Sequence, residues 1–330
     1  MGNAIFGKNK GDPRRLHIRN QVKVAHIIVT YNDPEGVSVL LKSISNQKTD
    51  GSEIFIIDNS SDDCKEQIKS TVRLALKECP NFYINYIPTA RNIGSAGGFA
   101  LGMELSFKRF DWIWLHDQDG HPGAHCLKAL IKASNEIARP AIFAPMVVDP
   151  HSGVQVNGFA INRDSWTRRR FVAPEREIQT IDAAGTAGLF IHSKVVEKIG
   201  FYDTRNFFIG GEDYDFCLRA KAQNFGSYLV RGAEYYHPEK WADHLEDDKQ
   251  FLIYLGYIGS TFNDRKIKEA SSNIYLALRY SSICFILLNV PYSFIKTVAL
   301  RVLKPRLKVQ LGATIRLYLR VLSGQNVYGK

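Results

Sequence analysis

The sequence predicts an α/β protein built on a doubly wound, largely parallel sheet, and two observations support this fold class. Short β-branched or aromatic runs alternate with longer helical patterns up to about Pro140, which is typical of right-handed βαβ units. Of the 330 residues, 45% are hydrophobic, which is enough for a sizeable core in one or two domains.

Four strands and three helices can be placed in order along this part of the chain. The predicted strands are 22–30, 53–59, 82–87 and 111–117. The helices between them are predicted to end near Gln47, Glu78 and Phe107. Beyond Pro140 the pattern becomes irregular, with short strands and a helix over 212–223. Ligands of doubly wound sheets bind beyond the carboxyl ends of the strands, so polar residues at those ends are candidate site residues.

Three polar features follow the carboxyl ends of these strands: Asp58, the glycine-rich turn 91–98, and the Asp117-Gln118-Asp119 motif. Two carboxylates one residue apart can share a divalent cation with a diphosphate, because Mg²⁺ prefers one or two carboxylates plus phosphate oxygens and water. Such a pair also occurs in solvated turns. The position at the end of a buried strand favours the cation site.

Cysteine usage and the N-terminus indicate a cytoplasmic protein. The five cysteines are scattered, with no CxxC pair and no His/Cys cluster at zinc spacing. Residues 1–21 lack the apolar stretch of a signal peptide. A reduced, unexported chain is therefore expected.

The net charge of +10 is concentrated at the C-terminus, because residues 265–330 carry 12 Lys or Arg and a single acid, Glu269. Helical spacing separates basic residues such as Lys296 and Arg301 from apolar ones such as Val298. We expect this segment to lie on an anionic membrane surface without crossing it. The alternative is an ordinary helix that covers the catalytic domain. No nucleic-acid-binding motif accompanies the charge, so nucleic acid is not an expected partner.

Five motifs occur in an order that resembles the inverting family-two glycosyltransferases over roughly residues 22–240. They are IIVTYN (27–32), IDNSSDD (57–63), RNIGSAGGFALG (91–102), HDQDG (116–120) and GGEDYDFCLRA (210–220). Within that family they look most like bacterial rhamnosyltransferases and galactofuranosyltransferases of surface polysaccharide synthesis. The resemblance implies a GT-A type doubly wound mixed sheet with a Rossmann-like nucleotide-binding half. We expect an N-terminal extension (1–21), a catalytic domain (22–245) and a basic amphipathic helical tail (246–330).

The resemblance implies a donor site for a dTDP- or UDP-sugar, built by Thr30, Tyr31, Asp58, Arg91, Asn92, Gly97 and Asp117. Asp58 would accept a hydrogen bond from the imide of the base, or alternatively cap the turn after its strand. Gly97 and its neighbours Gly94 and Gly98 would let a helix N-terminus approach the phosphates, where backbone N–H groups favour an anion.

The resemblance also implies the residues of the reaction. Asp117, Asp119 and His237 would hold Mn²⁺ or Mg²⁺, although His237 could equally be a structural histidine. Asp213 would be the general base, and Glu212 and Asp215 are the next candidates. First-turn acids are also favoured by the helix dipole alone.

The predicted function is transfer of a sugar, with rhamnose or galactofuranose favoured, to a lipid-linked glycan on the inner face of the cytoplasmic membrane. One alternative is a nucleotidyltransferase, but TYNDPEG (30–36) lacks the basic, glycine-rich phosphate loop of that class. Another is a non-catalytic sugar-nucleotide or glycan-binding module, against which the presence of both Asp119 and Asp213 argues. The sequence leaves open the donor base, the linkage position and homo-oligomer formation.

Overall fold

The computed structural model describes residues 22–47, 51–78, 83–153, 155–161, 170–238, 275–276 and 279–280. The predicted N-terminal extension and, apart from the last four of these residues, the predicted tail lie outside the described residues. The expected amphipathic helix near Lys296 is among the segments not described. Within the described ranges, no helix is long and apolar enough to cross a bilayer.

The described residues form twelve strands and six helices. The strands are β1 (Val24–Thr30), β2 (Glu53–Asp58), β3 (Tyr83–Pro88), β4 (Trp112–Asp117), β5 (His121–Pro122), β6 (Ala141–Val148), β7 (Gln155–Val156), β8 (Phe159–Ala160), β9 (Arg170–Phe171), β10 (Ile178–Ile181), β11 (Phe190–His192) and β12 (Gly226–Tyr236). The helices are α1 (Pro34–Ser45), α2 (Asp62–Glu78), α3 (Gly94–Ser106), α4 (Cys126–Ile137), α5 (Ser193–Ile199) and α6 (Glu212–Ala222).

The first half of the sheet is parallel, as the alternation of strands and helices predicts. Strand β1 pairs in parallel with β2 and β4, and β2 pairs in parallel with β3. Helices cover both faces: Ile27 of β1 packs with Phe99 of α3, whereas Ile28 packs on the other face with Leu40 of α1. Burial of both faces explains why these strands read as continuous apolar runs. The doubly wound arrangement is thereby confirmed.

The second half makes the sheet mixed, with the strand order β10-β12-β6-β11-β4-β1-β2-β3. Strand β11 lies antiparallel between β4 and β6, and β12 runs parallel to β6. The register of β12 shifts between Val230 and Glu234, and the strand then continues to Tyr236. Because of this extension, the residues that follow β12 reach the same edge of the sheet as the end of β4.

Helix α3 lies unusually close to β1. A Cβ atom added at Gly98 would be 2.7 Å from Val29 Cγ1, and one added at Gly102 would be 2.3 Å from Ile27 Cγ2. Real Cβ atoms do not approach other atoms so closely, so the packing requires glycine at both positions. The close contact brings the first turn of α3 to the carboxyl end of β1.

Candidate active site

A cleft of about 530 Å³ opens at the carboxyl edge of the sheet. Its walls come from the ends of β1 and β4, the start of α3, the loop before α6, the first turn of α6 and the segment after β12. Eight of the twelve residues that the sequence predicts for the site line this cleft: Thr30, Tyr31, Asn92, Asp117, Asp119, Glu212, Asp213 and His237. Side chains separated by more than 200 positions thus meet in one cavity.

Asp117 ends β4 at the floor of the cleft. The pKa of its carboxyl group is raised to about 7, mainly by burial and in addition by the negative charges of Asp119 and Asp213, whereas His237 opposes the shift. The site therefore disfavours an additional negative charge unless a positive charge compensates it. A cation bound at this position would relieve that repulsion.

Asp119 and His237 form a direct pair across the cleft, with His237 Nε2 3.0 Å from Asp119 Oδ1. The backbone N–H of His237 donates to Val148 O at 3.0 Å, which fixes the segment after β12 to β6. Gly120 allows this approach, because an added Cβ would lie 2.9 Å from His237 Cδ2. Among the described residues, no three His, Cys, Asp or Glu side chains form a group that could hold a metal by itself. Oxygen atoms from a ligand would have to complete such a site.

Asp213 lies in the first turn of α6, and backbone donors hold both of its carboxylate oxygens. Thr186 N donates to Oδ2 at 3.1 Å, and Tyr214 N donates to Oδ1 at 2.8 Å. The preceding Gly210 and Gly211 have φ values of +80° and +94°, which only glycine adopts readily. This turn directs the start of the helix, and with it the carboxylate, into the cleft.

Glu212 is buried beside Asp213, and its Oε1 accepts a hydrogen bond from Ser95 Oγ in the first turn of α3. Its Oε2 is buried and has no hydrogen-bond partner among the described residues. Burial, followed by the charge of Asp213, raises the pKa of Glu212 above its ordinary range. Glu212 therefore retains its proton more readily than an exposed glutamate.

The loop before α6 touches the start of α3 through the backbone. A Cβ atom added at Gly94 would lie 2.1 Å from Phe208 O, and Ala96 N donates to the same oxygen at 3.3 Å. The φ of +77° at Gly94 also favours glycine. The helix that the sequence predicts to face the phosphates is thus in contact with the segment that leads to Asp213.

Three predicted donor residues do not line the cleft. Asp58 is fully buried, and its two oxygens accept hydrogen bonds from Ser60 N at 2.9 Å and from Tyr86 Oη at 2.7 Å. This geometry matches the alternative role of Asp58 as a cap of the turn after its strand. Arg91 is exposed. A Cβ atom added at Gly97 would lie 2.9 Å from the Cβ of Ile93, the N-cap residue of the same helix. Gly97 therefore serves packing in this structure.

Asp215 also lies outside the cleft, on the far side of α6. It is fully buried, and its Oδ2 accepts a hydrogen bond from Arg219 Nε at 2.7 Å. The hydrogen-bond partners of its carboxylate are protein side chains that do not line the cleft. The structure thus separates Asp215 from Glu212 and Asp213, which the sequence alone could not do.

Three amides that sequence analysis did not select organise the cleft walls. Gln118 Oε1 accepts from Tyr31 N while its Nε2 donates to Tyr31 O at 3.2 Å, which ties the end of β4 to the end of β1. Asn59 Oδ1 accepts from Thr89 Oγ1 at 3.0 Å below the turn before α3. Asn157 Oδ1 accepts from Gly185 N at 2.9 Å. Gln118 and Asn59 lie inside recognised motifs, whereas nothing in the sequence around Asn157 indicated a role.

Comparison with known proteins agrees with this architecture. Residues 26–195 match the family model described as Glycosyl transferase family 2. The chain is 30% identical over 217 residues to "Galactofuranosyltransferase GlfT1" of Mycobacterium tuberculosis (strain CDC 1551 / Oshkosh), covering 64% of this chain and 69% of the relative. It is 23% identical over 238 residues to "Low-salt glycan biosynthesis hexosyltransferase Agl10" of Haloferax volcanii, covering 70% and 72%. The solved structure of GalNAc-T7 with UDP, GalNAc and Mn²⁺ superposes with a TM-score of 0.55 at 15% identity, covering 66% of this chain and 44% of that chain, and so shares the fold.

Proposed function

Because the chain belongs to glycosyltransferase family 2, we propose that its cleft transfers a hexose from a nucleotide-diphosphate sugar to a hydroxyl group of a glycan. The observation that carries this proposal is the position of Asp213, whose carboxylate is fixed in the same cleft as Asp117 and Asp119. Galactofuranose and rhamnose are the favoured sugars, the first because one relative is named a galactofuranosyltransferase. The donor would be a UDP- or dTDP-sugar.

In the proposed reaction Asp213 is the general base. The acceptor hydroxyl oxygen forms a bond to the anomeric carbon from the face opposite the diphosphate, while the bond from that carbon to the phosphate oxygen breaks. The hydroxyl proton passes to Asp213, and the anomeric configuration is inverted. General base catalysis typically contributes about 10²–10⁴-fold. The adjacent Glu212 is less suited to this role, because its raised pKa favours a carboxyl group that already holds a proton.

Asp117 and Asp119 are the residues that would hold a divalent cation, Mn²⁺ or Mg²⁺. The raised pKa of Asp117 supports this assignment, since it reflects an acidic, buried site in which positive charge is favourable. Mg²⁺ sites of this type take one or two carboxylates and complete their coordination with phosphate oxygens and water. When bound, the cation would stabilise the negative charge of the leaving diphosphate. His237 supports the site by holding Asp119 in place, and a ligand role for its ring stays a prediction.

We assign the nucleotide to the part of the cleft near Thr30, Tyr31 and Asn92. The buried Thr30 Oγ1 has no hydrogen-bond partner among the described residues, which suits contact with a polar ligand. The first turn of α3 adds backbone N–H groups that favour phosphate. The contact from Asp58 to the base, and a phosphate contact from Arg91, stay predictions.

We further propose a lipid-linked acceptor and association of the tail with anionic lipid on the inner face of the cytoplasmic membrane. Both rest on the basic, amphipathic sequence after Asp264, most of which lies outside the described residues. The predicted boundary at residue 245 and homo-oligomer formation likewise stay predictions.

A ligand panel tests the proposed function and separates its rivals. UDP, dTDP, ADP and GDP are compared by thermal shift in Mn²⁺, because a ligand that binds the folded state raises its stability. UDP-galactofuranose and dTDP-rhamnose are then followed for release of UDP or dTDP. We expect stabilisation by UDP or dTDP and slow hydrolysis of the matching sugar donor. Binding without turnover would indicate a binding module, and pyrophosphate release from UTP or dTTP with a sugar phosphate would indicate a nucleotidyltransferase.

A further inference from the structure

The buried face of α6 that carries Asp215 contacts the C-terminal part of the chain. Asp215 Oδ1 accepts a hydrogen bond from Tyr280 Oη at 2.6 Å and lies 3.3 Å from Arg279 Nη1. Its Oδ2 accepts from Arg219 Nε at 2.7 Å. A fully buried carboxylate is costly unless it is paired and hydrogen-bonded, so these contacts offset the cost of burying Asp215.

Arg219 connects Asp215 to the end of α5 and to the residues that follow it. Its Nη1 donates to Ile199 O and its Nη2 donates to Phe201 O, both at 2.7 Å. One buried charge pair therefore joins three segments: α6, the loop at 199–201, and the C-terminal residues 279–280. Since each segment contributes a directed hydrogen bond, rotation of α6 about its axis would break several contacts at once.

Apolar contacts place the same C-terminal segment directly behind the cleft. Leu276 is 1% exposed and packs in a cluster with Ala96 and Phe207. Tyr275 packs edge-on against Phe207, with their ring centroids 5.3 Å apart. Ala96 lies in the first turn of α3, and Phe207 immediately precedes the loop that lines the cleft. The segment thus supports both walls that meet near Asp213.

Helix geometry connects this support to the proposed base. Two positions apart on a helix correspond to about 200° of rotation, so Asp213 and Asp215 occupy opposite faces of α6. Asp213 faces the cleft, and Asp215 faces the C-terminal segment. Contacts on both faces therefore hold the helix in place. A change in its rotation, caused by loss of the Asp215 contacts, would therefore move the Asp213 carboxylate.

We propose that residues 275–276 and 279–280 act together as a positioning strap for α6, with Asp215 as the residue through which the strap fixes the orientation of Asp213. The inference rests on the proposed function only in assigning the proton transfer to Asp213. It makes the C-terminal segment part of the catalytic unit and gives Asp215 a positioning role away from the substrate.

Two conservative variants of the full-length chain test the strap. Tyr280→Phe removes one hydrogen bond to Asp215, and Arg279→Gln removes the nearby charge. We expect each to lower kcat for UDP-galactofuranose or dTDP-rhamnose hydrolysis by about tenfold, a fraction of the ~10²-fold that a 1 Å misplacement can cost. The Kd for UDP or dTDP with Mn²⁺ should be unchanged, because Arg279 and Tyr280 contact Asp215 of α6, whereas Leu276, which packs against the first turn of α3, is left in place. Tyr83→Phe is the matched control, since Tyr83 is 73% exposed on the edge strand β3.

A double-mutant cycle separates positioning from general stabilisation. If Tyr280 acts through Asp215, the variant Asp215→Asn combined with Tyr280→Phe should lose hardly more kcat than Asp215→Asn alone. Independent, additive losses would overturn the proposal, as would a parallel fall in kcat and nucleotide affinity. Values of kcat near that of the wild type in folded Tyr280→Phe and Arg279→Gln would overturn it as well.

Hydrogen exchange provides a readout that does not require activity. The backbone amides of α6 should exchange faster in Tyr280→Phe than in the wild type, whereas those of α1 should not change. If α6 exchanges faster in Tyr280→Phe while the wild-type protein turns over no donor, the strap is supported and the proposed function is refuted. If Tyr280→Phe does not fold, Arg279→Gln supplies the same comparison, and unchanged α6 exchange in the folded variant would refute the strap.

Discussion

The two sides of the cleft hold their carboxylates by different means. On the base side, two backbone N–H groups fix Asp213. On the opposite side, burial and neighbouring acids raise the pKa of Asp117 to about 7, and the exposed Asp119 contacts His237. The proposed base is therefore held by backbone groups of the protein, whereas the raised pKa of Asp117 indicates that positive charge near the acidic pair is favourable. This contrast suits one side to proton transfer and the other to cation and diphosphate binding.

The largest expected effect comes from Asp213→Asn. The amide keeps the shape of the side chain but cannot accept the acceptor's proton, so kcat should fall by about 10²–10⁴-fold. The KM for the donor should change little, since the lost interaction belongs to the transition state. Steady-state kinetics with UDP-galactofuranose or dTDP-rhamnose measures both parameters. Transfer within about threefold of the wild type would move the base to Glu212 and remove the contrast between the two sides.

On the acidic side, Asp119→Ala should abolish the metal-dependent part of nucleotide binding. A diphosphate beside Asp117 needs a cation between the negative charges, so affinity for UDP or dTDP should fall by about 10-fold or more in Mn²⁺. Calorimetry with and without EDTA measures this difference. Asp62→Ala is the charge-matched control, because the Asp62 side chain is 97% exposed on α2. Equal affinity of Asp119→Ala and the wild type would show that the cation is held elsewhere.

The pH dependence of metal binding should follow Asp117. With its pKa near 7, this carboxyl is half protonated at neutral pH, and a cation must displace the proton. Apparent affinity for Mn²⁺ with UDP or dTDP should fall as pH decreases through 7, and should be about tenfold lower at pH 6 than at pH 8. Because folding raises the pKa from 3.8 to about 7, the stability contributed by protonated Asp117 is fully present below pH 3.8 and is lost as pH rises to 7. Asp117→Asn should therefore raise the melting temperature more at pH 8 than at pH 4.

A smaller effect is expected from Tyr202→Phe on the base side. Tyr202 Oη lies 3.3 Å from Thr186 Oγ1, and Thr186 N holds Asp213. Loss of this neutral hydrogen bond should cost about 1 kcal/mol of stability and lower kcat only slightly. Chemical denaturation and donor hydrolysis measure the two quantities. A loss of kcat as large as that of Asp213→Asn would mean that the hydroxyl pair of Tyr202 and Thr186 takes part directly in the reaction.

Sequence analysis predicted the parallel half of the sheet well because its signals are local. The four strands predicted between Val22 and Asp117 correspond to β1–β4 within one or two residues at each end. Strand β11 was not predicted, since three residues carry little periodicity and its position between β4 and β6 depends on distant partners. The mixed sheet came from the family resemblance, and the observed strand order confirms it.

The predicted site residues likewise divide into those that a local motif identifies and those whose environment depends on distant parts of the chain. Asp117 and Asp119 were predicted because they lie within one motif at the end of one strand, and both line the cleft. The environment of Asp58 depends on Tyr86, a residue of the next strand, and could not be derived from the turn after β2. Asp215 resembles Glu212 and Asp213 in sequence, but only the helix orientation shows that it faces the C-terminal segment.

The backbone contact between Gly94 and Phe208 has a consequence for binding kinetics. Because the start of α3 and the loop before α6 touch through the Phe208 carbonyl, the two walls cannot separate there without breaking the Ala96 hydrogen bond. The cleft is thus preformed at this point, and little rearrangement is needed before nucleotide enters. We expect UDP or dTDP association to be a single exponential phase whose rate rises linearly with concentration, without the plateau that a slow opening step would impose.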